Sequence, residues 1–191
     1  TFNPNLFVDG IDSENWKELN ESIDKPLLNR ALRGTYPPGS TFKPFMAMAS
    51  LMSGTRSAQT VIQDNGSFQF GNHRFRSYGD RGVGPVDMTR SIIKSSNVYY
   101  YALANDMGVD LIHDQLEPLG FGRKTGIDVD GEVTGLLPST AWKKRAYKKP
   151  EQQKWYAGET ISLGIGQGYN NFTMLQLATA TSTIVAAGQR F

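Results

Sequence analysis

A serine and a lysine three positions apart, Ser40 and Lys43, form the segment of this chain that is best suited to chemistry. Residues with this spacing lie on one face of a helix, so the lysine amine can reach the serine hydroxyl if the segment opens a helix. A serine hydroxyl becomes a good nucleophile when a neighbouring base takes its proton, and a lysine with a lowered pKa can be that base. The spacing therefore predicts a nucleophile–base pair, with a plain capped helix as the alternative.

The residues before this pair, 36–39 (YPPG), fit a sharp turn into a helix that has Ser40 as its N-cap. Pro44 conflicts with that placement, because it would stand where the first intrahelical N–H bond forms. We interpret the conflict as the mark of a turn shaped for catalysis rather than for helix stability.

A second polar group, Ser95-Ser96-Asn97, stands between two apolar stretches, 88–93 and 98–103. An S-x-N triplet at a break between helices can present a hydroxyl and a carboxamide to one cleft. The hydroxyl can relay a proton to a leaving group, and the amide can bond the backbone of a peptide substrate. Helix capping is the alternative, since serine and asparagine often cap.

Together, S-x-x-K at 40–43 and S-x-N at 95–97 resemble the motifs of the penicillin-binding proteins, the serine acyltransferases of peptidoglycan synthesis. The resemblance continues over nearly the whole chain. The YPPG turn is similar to the elongation type of class B penicillin-binding proteins rather than the division type. The further segments that carry the resemblance are 3–5 (NPN), 28–31 (LNRA), 155–160 (WYAGET) and 164–169 (GIGQGY).

The resemblance implies a role for each motif residue. Ser40 would attack the carbonyl between the two terminal D-alanines of a stem peptide, and its backbone N–H would form half of an oxyanion hole. Lys43 would take the serine proton, Ser95 would help to protonate the leaving D-alanine, and Asn97 would hold the donor peptide and Lys43. An amine on a neighbouring strand would resolve the acyl-enzyme into a cross-link, whereas β-lactam antibiotics would leave Ser40 acylated.

The implied fold is the α/β (α+β) penicillin-binding protein/β-lactamase-like transpeptidase fold, with helices around a central antiparallel sheet. Most of that sheet is expected outside this chain, so the segment should be mainly helical with few strands. Residues 1–191 would be a partial transpeptidase domain, without the N-terminal anchor, the pedestal or the K-[ST]-G strand. We expect this segment alone to be inactive.

Partners and location follow from the same resemblance. The parent protein would act at the periplasmic face of the bacterial inner membrane, with a RodA-type glycan polymerase and an MreC-type scaffold as partners. No cofactor and no nucleic acid are expected. Two alternatives remain: a D,D-carboxypeptidase or β-lactamase that passes the acyl group to water, and a non-catalytic β-lactam-binding or scaffold domain.

One literal match departs from the family pattern. Lys124-Thr125-Gly126 spells the third motif, but it follows a glycine-rich segment and runs into 127–131 (IDVDG), which is typical of a turn-rich connection. The working K-[ST]-G motif opens a strand at the cleft edge. We therefore expect it beyond Phe191.

Composition restricts the remaining possibilities. The chain has 191 residues, 39% of them hydrophobic, which suits a piece of one globular domain, and its net charge of +2 implies no partner by itself. The absence of cysteine excludes thiol chemistry. His73 and His113 stand apart and form no metal cluster. The basic run 143–149 (KKRAYKK) is interpreted as a solvated loop rather than a nucleic-acid patch.

Local patterns predict the elements that position the motifs. Helices are expected at 13–19 with Ser13 as cap, from Ser40 to Met52 with Gly54 as the stop, from Asp87 or Thr89 towards Ser95, at 98–107 and at 110–119. Alternating aromatics predict a hairpin within 61–78, with Gly71-Asn72 as its turn. Thr173 and Gln176 form a capping box for a last helix that Gly188 ends, and 164–168 (GIGQG) is interpreted as close backbone packing.

Overall fold

The computed structural model describes residues 2–189, in which helices predominate and strands are short. This content agrees with the predicted partial domain. The α-helices are α1 (Ser13–Glu21), α2 (Arg30–Arg33), α3 (Lys43–Ser53), α4 (Met88–Ile93), α5 (Asn97–Met107), α6 (Val109–Leu116), α7 (Thr140–Ala146), α8 (Pro150–Gln153), α9 (Ala157–Ile161) and α10 (Met174–Val185). Single 3₁₀ turns lie at Pro4–Phe7, Gly39–Phe42, Tyr78–Asp80, Glu117–Leu119 and Ser162–Ile165.

The strands pair in three antiparallel ribbons: β1 with β6, β2 with β5, and β3 with β4. The β3–β4 ribbon is the predicted hairpin, with Phe70 opposite His73 and Gly71 in the turn at φ 55°. The β2–β5 ribbon places Ile62 at the start of β2 opposite Val86, which leads into α4, and Asp64 at the end of β2 opposite Gly84. The strand bounds are β1 (Thr35–Tyr36), β2 (Ile62–Asp64), β3 (Ser67–Phe70), β4 (His73–Arg76), β5 (Gly84–Val86) and β6 (Phe172–Thr173).

Helix α5 is the centre of the core. Tyr99, Tyr100, Leu103 and Ala104 are all fully buried, and the helix packs against α9 and the 3₁₀ turn Ser162–Ile165. A second group of rings lies beside α3, where Phe42, Phe121 and Phe172 have centroids 4.6–5.6 Å apart. Since α3 and α5 carry the two predicted motifs at their N-terminal ends, burial of these helices fixes the motifs relative to each other.

The start of α3 differs from the prediction. Ser40 is not its N-cap: Ser40 lies in the 3₁₀ turn Gly39–Phe42, and α3 begins at Lys43. Pro44 therefore stands in the first turn of the α-helix, where its missing N–H would have no intrahelical partner. Because α3 begins at Lys43 and not after Ser40, Pro44 does not conflict with the helix and is an ordinary helix-opening proline. Its position is therefore no mark of a turn shaped for catalysis.

Most other helix signals are confirmed. Asp87 caps α4 by accepting a hydrogen bond from the Arg90 N–H, and Gly54 ends α3 in the left-handed conformation. Thr173 and Gln176 form the reciprocal capping box of α10. The N-cap of α1 is Asp12 and not the predicted Ser13: Asp12 accepts from the Glu14 and Asn15 N–H groups, and Ser13 is the first helical residue.

Two helices end earlier than predicted. Helix α6 stops at Leu116 and continues only as a 3₁₀ turn to Leu119. Helix α10 stops at Val185, and the Gly188 N–H then bonds to the Thr183 carbonyl at 2.8 Å. Both differences arise in the last turn of a helix, where the final carbonyls have no intrahelical donor and the backbone tightens to satisfy them.

Candidate active site

The turn that carries Ser40 is held from behind by a glycine. The Gly39 N–H donates to the Gly166 carbonyl at 3.0 Å, and Gly166 has φ +71°. A Cβ atom at position 166 would lie 2.3 Å from the Gly39 oxygen, so only glycine permits this approach. The predicted backbone packing of 164–168 is confirmed, since a Cβ on Gly164 would also lie 2.1 Å from the Tyr100 carbonyl oxygen.

Lys43 is buried, with 2% of its surface exposed, directly beneath the Ser95–Asn97 turn. Its ammonium donates to the Ser95 carbonyl at 2.8 Å, to Ser95 Oγ at 3.0 Å and to Asn97 Oδ1 at 2.7 Å. Burial lowers the pKa of Lys43 from 10.5 to about 8, although the charge of Asp64 acts in the opposite direction. An amine with this pKa loses its proton much more readily than an ordinary lysine and can act as a base.

Ser95 connects the lysine to the predicted nucleophile. Its hydroxyl accepts from Lys43 and donates to Ser40 Oγ at 3.1 Å. Among residues 2–189, no direct hydrogen bond joins Ser40 and Lys43, so the contact expected from the three-residue spacing is replaced by a bridge. The structure thus brings the four predicted residues together as a chain of contacts from Ser40 through Ser95 to Lys43 and Asn97.

The backbone at Ser95 has an unusual conformation. Ser95 has φ 51°, a left-handed value that is uncommon for a residue other than glycine, and it lies between the end of α4 and the start of α5. This conformation directs both the Ser95 carbonyl and its hydroxyl to the Lys43 ammonium. Such strain persists only where the surroundings hold it, and it is common at functional sites.

Ser40 lies on the wall of an open cleft of about 380 Å³. Asp64 is the acidic side chain on the described lining, and both of its oxygens are already hydrogen-bonded, to the Gly66 N–H and to the Ser96 hydroxyl. The other lining residues include Ser95, Ser96, Asn97, Lys94, Arg81 and Tyr78.

The literal K-T-G segment lies elsewhere. Thr125 and Gly126 line a different cavity, and their N–H groups donate to the Glu132 carboxylate at 2.6 and 3.4 Å. The segment is not a strand in the structure. Its backbone donors serve a turn instead of a substrate, and this placement agrees with the expectation that Lys124 is not the working motif.

The interpretation of 143–149 as a solvated loop is wrong for its first residues. Lys143 is on α7, is 4% exposed, and forms an ion pair with Glu159 at 2.5 Å. The rings of Trp155, Tyr156 and Tyr169 surround its ammonium at 5.4–5.7 Å. The sequence of the basic run does not distinguish Lys143 from its charged neighbours, because only the helical arrangement shows which lysine points inward.

One residue next to the site, Asp64, was not identified from the sequence. Asp64 is 2% exposed and accepts a 2.5 Å hydrogen bond from Ser96, the middle residue of the S-x-N triplet. The available signal was weak: Asp64-Asn65-Gly66 is an ordinary turn sequence, and the Gly66 N–H does bond to Asp64 Oδ1. Nothing local links that turn to a triplet much further along the chain.

The fold agrees with the comparison to known families. The model of the penicillin binding protein transpeptidase domain matches residues 1–191. The chain therefore belongs to the penicillin-binding protein transpeptidase family, and the class and the fold predicted from the motifs are confirmed.

Within that family the similarity points to one type of enzyme. The chain is 47% identical to the peptidoglycan D,D-transpeptidase MrdA of Acinetobacter baumannii over 184 residues, covering 95% of this chain and 27% of the relative. It matches PBP2 of Pseudomonas aeruginosa, solved in complex with WCK 5153, with TM-score 0.90, 42% identity and coverage of 99% and 42%. The PBP2–MreC complex of Helicobacter pylori matches with TM-score 0.88, 32% identity and coverage of 97% and 34%.

The chain thus spans little more than a quarter of the length of this curated relative. Over residues 2–189, no helix combines the length and the apolar character that a membrane crossing requires.

Proposed function

We propose that the protein containing this chain is a peptidoglycan D,D-transpeptidase with Ser40 as its nucleophile. The observation that carries the proposal is the continuous path from Ser40 Oγ to Ser95 Oγ, 3.1 Å, and on to Lys43 Nζ, 3.0 Å. A hydroxyl connected in this way to a lysine of lowered pKa has what acyl transfer requires: a nucleophile and a base within proton-transfer distance.

The proton moves along that path. When Lys43 is neutral it accepts the Ser95 proton while Ser95 takes the proton of Ser40, and Ser40 Oγ bonds to the carbonyl carbon of the penultimate D-alanine. The C–N bond to the terminal D-alanine then breaks. The Lys43 ammonium returns the proton through Ser95 to the departing amine, which leaves as free D-alanine and leaves the ester on Ser40.

Asn97 has two functions in this proposal. Its Oδ1 accepts from Lys43 at 2.7 Å and keeps the amine under the serines. Its amide Nδ2 makes no hydrogen bond to a described residue and lies on the cleft lining, so it is available to the backbone carbonyl of the donor peptide. The Ser40 N–H, in a 3₁₀ turn with no intrahelical acceptor, contributes one oxyanion donor.

The acid on the described cleft lining is not placed to activate water for hydrolysis of the acyl-enzyme. Deacylation by water needs a base next to the ester, but Asp64, the acid on the described lining, has both oxygens occupied by Gly66 and Ser96. We infer a long-lived acyl-enzyme that awaits the amine of a second stem peptide. This separates the proposal from a β-lactamase or D,D-carboxypeptidase, whose ester would be hydrolysed quickly, and from a non-catalytic β-lactam-binding or scaffold domain, which would form no cross-linked peptide.

The rest of the proposal rests on similarity to the longer relatives. The K-[ST]-G strand, the pedestal and a membrane anchor would belong to other parts of the parent protein, which would act at the periplasmic face of the inner membrane. Because a relative from Helicobacter pylori has been solved with MreC, an MreC-type scaffold is a proposed partner, beside a RodA-type polymerase. Co-purification of the tagged full-length protein with each partner would test these two assignments.

The decisive test uses the full-length protein. Incubation with benzylpenicillin should add one penicilloyl group, mapped to Ser40 by peptide mass spectrometry, that persists for many minutes, and Ser40→Ala should show none. With a pentapeptide donor and an amine acceptor, the product should be the cross-linked peptide with release of D-alanine. Labelling that persists in Ser40→Ala would refute the nucleophile, and hydrolysed tetrapeptide as the main product would indicate a carboxypeptidase.

A further inference from the structure

Asp64 is a buried carboxylate held in one orientation. It ends β2 and is paired with Gly84 of β5. Gly82 packs so closely against the Asp64 backbone that a Cβ atom on Gly82 would lie 2.3 Å from the Asp64 carbonyl oxygen. Its Oδ1 accepts from the Gly66 N–H at 2.8 Å, and its Oδ2 accepts from Ser96 Oγ at 2.5 Å. A carboxylate removed from water is costly unless both oxygens are bonded, so this arrangement is specific.

Ser96 links the Asp64 carboxylate to the rest of the S-x-N triplet and to helix α5. Its hydroxyl accepts from the Tyr99 N–H at 3.1 Å, which caps α5, and donates to Asp64. Ser96 directly follows Ser95, which has φ 51° and whose carbonyl and hydroxyl bond to Lys43. The Asp64–Ser96 bond therefore anchors the residue next to the strained one and keeps the turn over the lysine.

We propose that Asp64 is a positioning residue for acylation of Ser40: its carboxylate fixes Ser96 and hence the Ser95–Asn97 turn, and its charge acts on the Lys43 ammonium. The inference rests on the proposed transpeptidase function. It assigns Asp64 no contact with substrate and no proton transfer, because both of its oxygens are engaged within the protein.

The negative charge of Asp64 raises the pKa of Lys43 relative to the effect of burial alone. Asp64 opposes the effect of burial on the Lys43 pKa, so loss of its charge should lower that pKa further. Tyr100 of α5 also faces Lys43, 5.7 Å from ring centroid to Nζ, and burial raises its pKa to about 12, so it remains neutral. Lys94 and Arg81 are the cations on the described lining of the same cleft.

The test compares Asp64→Asn with Asp110→Asn in the full-length protein. Asp110 is a matched control, since it also accepts from a backbone N–H and a hydroxyl, both of Thr140, but it lies in the first turn of α6 and is not part of the described cleft lining. The second-order rate of benzylpenicillin acylation is measured from pH 6 to 10. Asp64→Asn should lower the maximal rate about 10-fold and move the half-maximal pH down by roughly 0.5–1 unit, and Asp110→Asn should do neither.

Ser96→Ala separates the two effects, and it serves as the test if Asp64→Asn does not fold. It should lower the maximal rate about 10-fold without a downward shift of the half-maximal pH, since the carboxylate remains. The double variant should be no slower than the slower single variant, because both changes break the same bond.

Two outcomes would overturn the inference: an Asp64→Asn profile that matches Asp110→Asn, or a Ser96→Ala rate equal to that of the unmodified protein. A lower Asp64→Asn rate with an unmoved half-maximal pH would show a merely structural role and would also overturn it. These results are distinct from failure of the proposed function, which would appear as no acylation of Ser40 in the unmodified protein.

Discussion

Lys43 Nζ donates a 2.7 Å hydrogen bond to Asn97 Oδ1, although the two residues are 54 positions apart in the chain. The bond joins the first residue of α3 to the first residue of α5, and it holds the amine under both serines. A neutral carboxamide at this position leaves the lysine free to lose its proton, whereas a carboxylate would bind the ammonium form and oppose that loss.

Asn97→Asp should therefore move the pH dependence of acylation upward. The new carboxylate stabilises the Lys43 ammonium, so the half-maximal pH for acylation by benzylpenicillin should rise by about 1 unit or more. The rate at pH 7 should fall accordingly. Asn105→Asp, on the exposed side of the same helix, provides the control and should leave the profile in place. An unmoved Asn97→Asp profile would contradict the assignment of Lys43 as the base.

The unmodified full-length protein should itself show the lowered pKa of Lys43. Because burial reduces this pKa to about 8, the acylation rate should increase as pH rises and reach half its maximum near pH 8. Measurement of the rate with benzylpenicillin from pH 6 to 10 checks this. Lys43→Arg keeps the charge but cannot supply a neutral base, so it should show no rise at any pH. A rate independent of pH over that range would argue against the lysine.

Gly166 should be essential for the nucleophile turn. Gly166→Ala places a Cβ 2.3 Å from the Gly39 oxygen and must displace the segment that carries Ser40, so the acylation rate should fall at least about 100-fold. Gly168→Ala is the matched control, because φ is +70° there too but the nearest atom to a Cβ is a leucine methyl at 3.3 Å. Both variants should lose about 1 kcal/mol of stability to backbone strain, but only the first should lose activity. Equal rates in the two variants would refute the steric argument.

Lys143→Met should destabilise the protein because it leaves Glu159 without its cation. Lys143 is only 4% exposed, but the Glu159 side chain is 24% exposed, so removal of the lysine should cost about 2 kcal/mol, less than the loss of one member of a fully buried pair. The measurement is the urea midpoint of the full-length protein, followed by tryptophan fluorescence. Lys144→Met, on the exposed side of the same helix, should change the free energy of unfolding obtained from that midpoint by less than about 0.5 kcal/mol.

The Lys143–Glu159 ion pair should make the destabilisation by Lys143→Met depend on pH. Burial by itself would raise the pKa of Glu159. The hydrogen bonds that Glu159 accepts from Lys143, Tyr156 and Tyr169 together outweigh this effect, so the pKa of Glu159 falls below its usual value of 4.5. A carboxyl with a lowered folded-state pKa stabilises above its unfolded pKa and loses that contribution as pH falls through the folded value. The difference between Lys143→Met and the unmodified protein should therefore shrink below about pH 4. A difference that persists at pH 2 would point to lost packing instead.

The amino-acid sequence by itself determined the motif residues, the family and the approximate positions of α1, α3, α4, α5, α6 and α10, but it did not predict α2, α7, α8 or α9. Ser40, Lys43, Ser95 and Asn97 follow from residue type and spacing. Caps such as Asp87 and Thr173 follow from hydrogen bonds that reach only three residues along the chain. Signals of this kind are local, so they are legible in the sequence.

The tertiary structure decided how those residues meet. Packing of α3 against α5 places Ser95 between Ser40 and Lys43, so the expected direct contact becomes a bridge, and burial changes the acidity of the lysine. It also turns Asp64 towards Ser96. These contacts join positions 32 to 55 residues apart, where no periodicity or capping rule applies, because only the folded core brings such positions together.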